Sequence, residues 1–127
     1  MSTIKITRER MTEALKWVIS QVDPDYKYEN GFELCLYVKK GTCDGDCLFG
    51  RALIYLGVDP EWLSKVDNDE SDLEEVGISH LLRWLDVEDE DLIDACRIAQ
   101  SHQDCGVVWH RCVELYHERL IGKHVVT

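Results

Sequence analysis

The chain has 127 residues, 45% of them hydrophobic, enough to bury one sizeable core and so to form a single domain over residues 1–127. No apolar run approaches the roughly twenty residues that a bilayer demands, which excludes a membrane-spanning helix. A formal net charge of −11 makes direct contact with nucleic-acid phosphates repulsive.

The first eighteen residues lack the apolar core and small-residue cleavage site of a secretory leader, so a cytoplasmic location is expected. Residues 8–22 place Met11, Leu15, Val18 and Val22 at helical spacing, with Ala14 beside them. Thr7 caps this helix, Glu9 favours its first turn, and Asp23-Pro24 ends it. After a polar connection, Phe32, Leu34, Leu36 and Val38 alternate with Glu33, Cys35, Tyr37 and Lys39. That period of two predicts a strand. A lone strand is unstable, so a partner is expected at residues 3–6 or in a short return near Thr42.

"CLFGRALIYLG" predicts a buried helix with Leu48, Phe49, Ala52, Leu53 and Leu56 on its face, Asp46 as its cap and Gly57 as its stop. Gly50 weakens that helix by about 1 kcal/mol relative to Ala, which points to close packing at this position. Asp59, Pro60 and Glu61 start the next helix cleanly. Ser71 to Glu74 has the spacing of a capping box, and "ISHLLRWL" is a further short helix. Residues 88–101 carry Leu92, Cys96 and Ala99 on one stripe, and "HQDCG" breaks that helix. Residues 107–120 align Trp109, Val113, Tyr116 and Leu120. Residues 122–127 read as a flexible tail. The expected fold is therefore α+β and mainly helical. Five to six short helices surround one core, with a small β-hairpin or two-stranded element near residues 32–43.

The charge is concentrated. Residues 67–94 hold twelve acids against Arg83 alone, and the remaining thirteen acids meet thirteen bases. This segment is the expected contact surface for a protein partner, basic or DNA-binding, through Asp67, Asp69, Glu70, Asp72, Glu74, Glu75, Glu88, Asp89, Glu90 and Asp91. A narrower version makes the acids mimics of nucleic-acid phosphates. A plainer one makes them a solvated face with acids at helix starts.

Six cysteines without a framework spacing suit a reducing compartment, and Cys96 and Cys112 sit where a helix would place a small buried hydrophobe. Cys47 follows an acidic glycine turn at a helix start, one place where proteins build a reactive thiolate. "DGDCLF…RAL" is similar to the catalytic-cysteine motif of ovarian-tumour-type deubiquitinases. That likeness implies a cysteine-dependent hydrolase with Cys47 as nucleophile and Asp44 in the oxyanion turn. It covers about ten residues, Gly50 interrupts it, and His102, His110 and His117 fall on or beside helices instead of in that family's strand setting. Cys43, Cys47, His102 and Cys105 are the ligands that a zinc site would use, although no paired CxxC spacing supports one. No cofactor is expected. The four tryptophans, Trp17, Trp62, Trp84 and Trp109, read as core residues.

Three stretches occur together: "CLYVKKGTCDGDCLFGRAL", "LGVDPEWL" and "AQSHQDCGVVWHRCVE". Their order resembles a group of small accessory proteins encoded by bacteriophages of actinobacteria, over about residues 30 to 120. In that pattern the cysteine before x-x-Gly-Arg-Ala-Leu opens a helix and the DGD turn is not fixed. The resemblance implies a source and a fold and carries no mechanism. It implies a viral accessory protein acting inside the host bacterial cytoplasm. The lack of a catalytic constellation and the charge gathered in residues 67–94 make the expected function non-enzymatic binding to a host or phage protein.

Overall fold

A computed structural model describes residues 4–28, 37, 44–67 and 77–125, with helix backbone alone at 67 and 122–125. Their regular structure consists of six helices: α1 (Arg8–Ser20), α2 (Leu48–Tyr55), α3 (Pro60–Asp67), α4 (Ile78–Trp84), α5 (Glu90–Asp104) and α6 (Trp109–Val125). α5 and α6 form a hairpin and the most extensive helix pair. α4 lies on α5, α1 on α2, and α1 and α2 reach α6 and α5 respectively. None of these helices is long and apolar enough to cross a membrane.

The β element is the main correction to the sequence reading. No strand occurs among the described residues, which are all-helical where they are regular. Most of residues 32–43 lie outside the described residues, as does the capping box at Ser71 to Glu74. Tyr37 is described, and it breaks the expected alternation. It belongs to the outward set of that pattern, yet it is 1% exposed. Its phenol accepts from Gln100 Nε2 at 3.3 Å, and its carbonyl accepts from Asp46 N at 3.0 Å. Residues 4–6 form no strand either. Ile6 is buried and Ile4 packs against the core. A period of two reports alternating polarity, and without ladder partners it does not make a sheet.

The helix starts follow local chemistry. Thr7 Oγ1 accepts from Arg10 N at 3.2 Å, and Asp59 Oδ1 accepts from Glu61 N at 3.0 Å. The cap of α2 is a second correction. Cys47, not Asp46, holds that position, and its Sγ accepts from Gly50 N at 3.4 Å. Asp46 instead accepts from the Tyr28 hydroxyl at 2.7 Å. α1 stops at Ser20, two residues before the expected end. α6 backbone continues to Val125, into the expected tail.

Three helices end in the same Schellman geometry. After α2, Gly57 N bonds Ile54 O and Val58 N bonds Leu53 O. After α4, Asp86 N bonds Arg83 O and Val87 N bonds Leu82 O. After α5, Gly106 N bonds Gln103 O and Val107 N bonds His102 O. Gly57, Asp86 and Gly106 have φ of 100°, 65° and 87°. Val58 and Val87 are buried, so each of these two turns drives an apolar side chain back under its helix.

The core gathers Met11, Leu15 and Val18 of α1, Leu48, Phe49 and Leu53 of α2, and Leu81 and Leu82 of α4. Leu92, Cys96 and Ala99 of α5 face Trp109, Val113 and Tyr116 of α6. The tryptophans divide. Trp109 is fully buried and Trp62 packs partly against the core. Trp17 and Trp84 are 43% and 55% exposed, against expectation.

Candidate functional site

Cys47 comes first because the sequence pointed to it. The residue is fully buried, and its sulfur serves the start of α2 through the Gly50 amide. A nucleophile needs access to substrate and a base within reach. Three of the five imidazoles are engaged elsewhere: His102 Nδ1 contacts Ile98 O at 2.9 Å, and His110 Nε2 contacts Ile19 O at 3.1 Å. His117 packs edge-on to Tyr116. Burial holds the Cys96 thiol well above its ordinary value and pushes Cys112 up to about 12. Neither is a thiolate at neutral pH.

The zinc set is not brought together. Cys43 lies outside the described residues, Cys47 is buried, and Cys105 and His102 are exposed at the end of α5. Among the described residues no three His, Cys, Asp or Glu side chains converge as a metal site would require.

The acidic segment is only partly described. The side chains of Asp67, Asp69, Glu70, Asp72, Glu74 and Glu75 lie outside the described residues. The other half is largely occupied within the protein. Asp89 caps α5 through Leu92 N and forms a two-point ion pair with Arg8, which also reaches Asp91. Glu90 pairs with Arg83 at 2.7 Å, Asp94 with Arg97 at 2.6 Å, and Arg119 bridges Asp94 and Asp91. Arg8, Arg97 and Arg119 lie outside the 67–94 window, so a local charge count could not see them. Glu88 remains exposed. Among the described residues, carboxylates therefore alternate with guanidinium groups and do not form the uninterrupted rows that a phosphate mimic needs.

A different place draws attention, and the sequence reading missed it. Trp17 of α1 stacks on Tyr55 of α2 with ring centroids 4.9 Å apart and planes 27° from parallel. Both rings are large and two-fifths exposed or more. The Tyr55 hydroxyl donates to Glu13 at 3.3 Å, which ties the ring to α1. Reduced hydration and the Glu13 charge raise this phenol above its ordinary pKa.

Beside the pair opens a cleft of about 440 Å³, bounded by Trp17, Gln21, Asp44, Arg51, Ile54 and Tyr55. Arg51 projects from α2 over Trp109, with its guanidinium carbon 4.8 Å from that ring centroid and 5.7 Å from the centroid of Tyr26. Tyr26 and Trp109 meet edge to face at 4.7 Å, so the cation rests on an ordered aromatic base. Arg51 Nε and Trp109 Nε1 are buried and lack a hydrogen-bond partner among the described residues. Five arginines of the chain are in ion pairs, whereas Arg51 meets no carboxylate among the described residues. The signal was available in the sequence. Trp17 falls off the Met11, Ala14, Leu15, Val18 stripe. Tyr55 stands at the edge of the Leu48, Phe49, Ala52, Leu53 stripe, seven residues after Leu48, and Arg51 stands in an apolar helix without an acid one turn away.

No protein-family model, no curated protein and no solved structure matches the chain.

Proposed function

We propose that this chain is a non-enzymatic accessory protein that binds a partner protein through the face shared by α1 and α2. The observation that carries this reading is the exposed Trp17–Tyr55 stack beside the Arg51 cleft. Tyrosine, tryptophan and arginine dominate binding energy at interfaces, because they bury large area at low entropic cost. The burial of Cys47 favours binding over covalent chemistry. The three-part likeness to actinobacteriophage proteins supports a host or phage protein as the partner. The net charge of −11 adds a field that speeds encounter with a basic partner.

The test is quantitative capture from the lysate of an actinobacterial host. One immobilised variant carries Trp17→Ala with Tyr55→Ala. A second carries Asp69→Asn, Glu70→Gln and Asp72→Asn. The expected result is one partner, retained by the acidic-segment variant and lost by the aromatic variant, with a loss of about tenfold or more in affinity. The reverse pattern moves the contact surface to the acidic segment. Equal capture by all three proteins overturns the proposal.

A further inference from the structure

We infer that the cleft between α1 and α2 recognises the C-terminal residue of a partner chain, taking its free carboxylate at Arg51 and its aromatic side chain against Trp17 and Tyr55. This rests on the binding role proposed above and adds the chemistry of what is bound.

Charge is the first support. Among the described residues Arg51 has no ion-pair partner, although five other arginines have one. A planar guanidinium fork matches a carboxylate with two parallel hydrogen bonds. Its stacking on Trp109 and Tyr26 fixes the fork in advance, so little rotamer entropy remains to be lost on binding. The second support is the count of charges. One guanidinium balances one negative charge, and Asp44 lines the same cleft. A monoanion suits that arrangement, whereas a phosphate dianion would face Asp44 and a strongly negative chain. Gln21 offers an oxygen acceptor for a backbone N–H group, which an amino-acid residue carries directly beside its carboxylate. The third support is the wall. The stacked pair presents exposed ring surface at the cleft, and Ile54 and Val18 add apolar floor. Aromatic groups pack there by offset or edge-on contact. A cleft of about 440 Å³ has the size for one large residue and part of its neighbour, which places carboxylate and ring on the same residue.

The experiment titrates the full chain with N-acetyl-phenylalanine and, separately, with N-acetyl-phenylalaninamide, which lacks only the free carboxylate. Nitrogen-15 spectra follow the Arg51 Nε–H and the Trp17 indole N–H. The acid is expected to shift both resonances and to bind about tenfold or more tightly than the amide. Equal binding of the two, shifts confined to other helices, or no shift at either group overturns the inference. Arg51→Gln is expected to abolish the preference for the acid. Because Arg51 packs on Trp109, its loss could unfold the chain, so Trp17→Ala at an exposed position gives the second check and is expected to weaken the acid at least severalfold. If Trp17→Ala abolishes partner capture while the free acid never binds, the cleft chemistry is wrong and the partner-binding role stands. If the free acid binds while capture is indifferent to Trp17, the cleft chemistry stands and the partner-binding role falls.

Discussion

At the scale of single residues, the stretch Asp44 to Leu53 owes its composition to space and hydrogen bonds. A Cβ built on Gly50 would lie 1.9 Å from the Tyr37 carbonyl oxygen and 2.6 Å from its carbon. Backbone sits against backbone, so no flexible side chain can give way. Replacing glycine with alanine inside a helix ordinarily gains about 1 kcal/mol. Here the clash outweighs that gain, because overpacking costs about 1–3 kcal/mol even where side chains can adjust. Gly50→Ala is therefore expected to lower stability by roughly 2 kcal/mol, read as a fall in the urea midpoint at constant slope; an unchanged or raised midpoint would show that Tyr37 does not approach α2 this closely. Cys47 reads in the same terms. It fills the core and accepts from Gly50 N, while Cys105 is exposed. Brief treatment with iodoacetamide under native conditions should modify Cys105 and leave Cys47 untouched until denaturant is added. Peptide mapping checks this, and native labelling of Cys47 would restore it as a reactive thiol.

At the scale of elements, helix starts are served from a distance. Two glutamines of α5 cap the starts of other helices. Gln103 Oε1 accepts from Leu48 N, the first amide of α2, at 2.8 Å. Gln100 Oε1 accepts from Ile78 N, the first amide of α4, at 2.8 Å. Gly77 has no side chain to cap α4, so Gln100 takes that part. Gln103 is fully buried and turns its amide nitrogen to Asp104 at 2.8 Å. Gln103→Leu keeps the volume and leaves a buried N–H without its acceptor, a loss of about 1–3 kcal/mol. Gln21→Leu, at an exposed site, should change stability by less than about 0.5 kcal/mol. Equal midpoints for the two variants would contradict the capping role. The contrast also marks what the sequence revealed. Thr7, Asp59, Pro60 and Gly57 act on their own neighbours, and the local pattern placed those helix boundaries within two residues. Gln100 and Gln103 act across 22 and 55 positions, which no local window contains. The expected strand failed for the same reason. Alternation is local, whereas the partner that makes a sheet is not, and Tyr37 is buried by contacts with Gln100 and Asp46. The cleft was half legible: Trp17 stands off its apolar stripe and Tyr55 at the edge of its own, but only the folded chain sets them beside Arg51.

At the scale of the whole molecule, the ion pairs tie the chain's start to its end. Arg8 opens α1, Asp89 and Asp91 open α5, and Arg119 lies in α6, so one network joins three helices. Three carboxylates in this region, Asp89, Glu90 and Asp94, titrate below their ordinary range. Asp89 is lowered by the Arg8 hydrogen bond, Glu90 by Arg83, and Asp94 by Arg97 and then Arg119. A depressed carboxylate stabilises the fold above its unfolded value, 3.8 for aspartate and 4.5 for glutamate, and loses that contribution as pH falls through the lower folded value. His117 acts at higher pH. Burial, then Lys16, holds its imidazole below the ordinary 6.5. Between its folded value and 6.5 the unfolded chain binds more protons, so stability falls as pH drops through that window. Urea midpoints measured from pH 8 to pH 2 at low salt should thus hold level above about pH 7, begin a small decline near 6.5 and steepen below about 4. His117→Gln should remove the upper step alone. Asp89→Asn is the sharper test, because asparagine caps a helix as well as aspartate while removing the charge. It should lower the midpoint at pH 7 and flatten the slope below pH 4. If that slope is unchanged, the Arg8 pair contributes no more than an ordinary surface contact, and the acid sensitivity belongs to Glu90 and Asp94 with their own arginines.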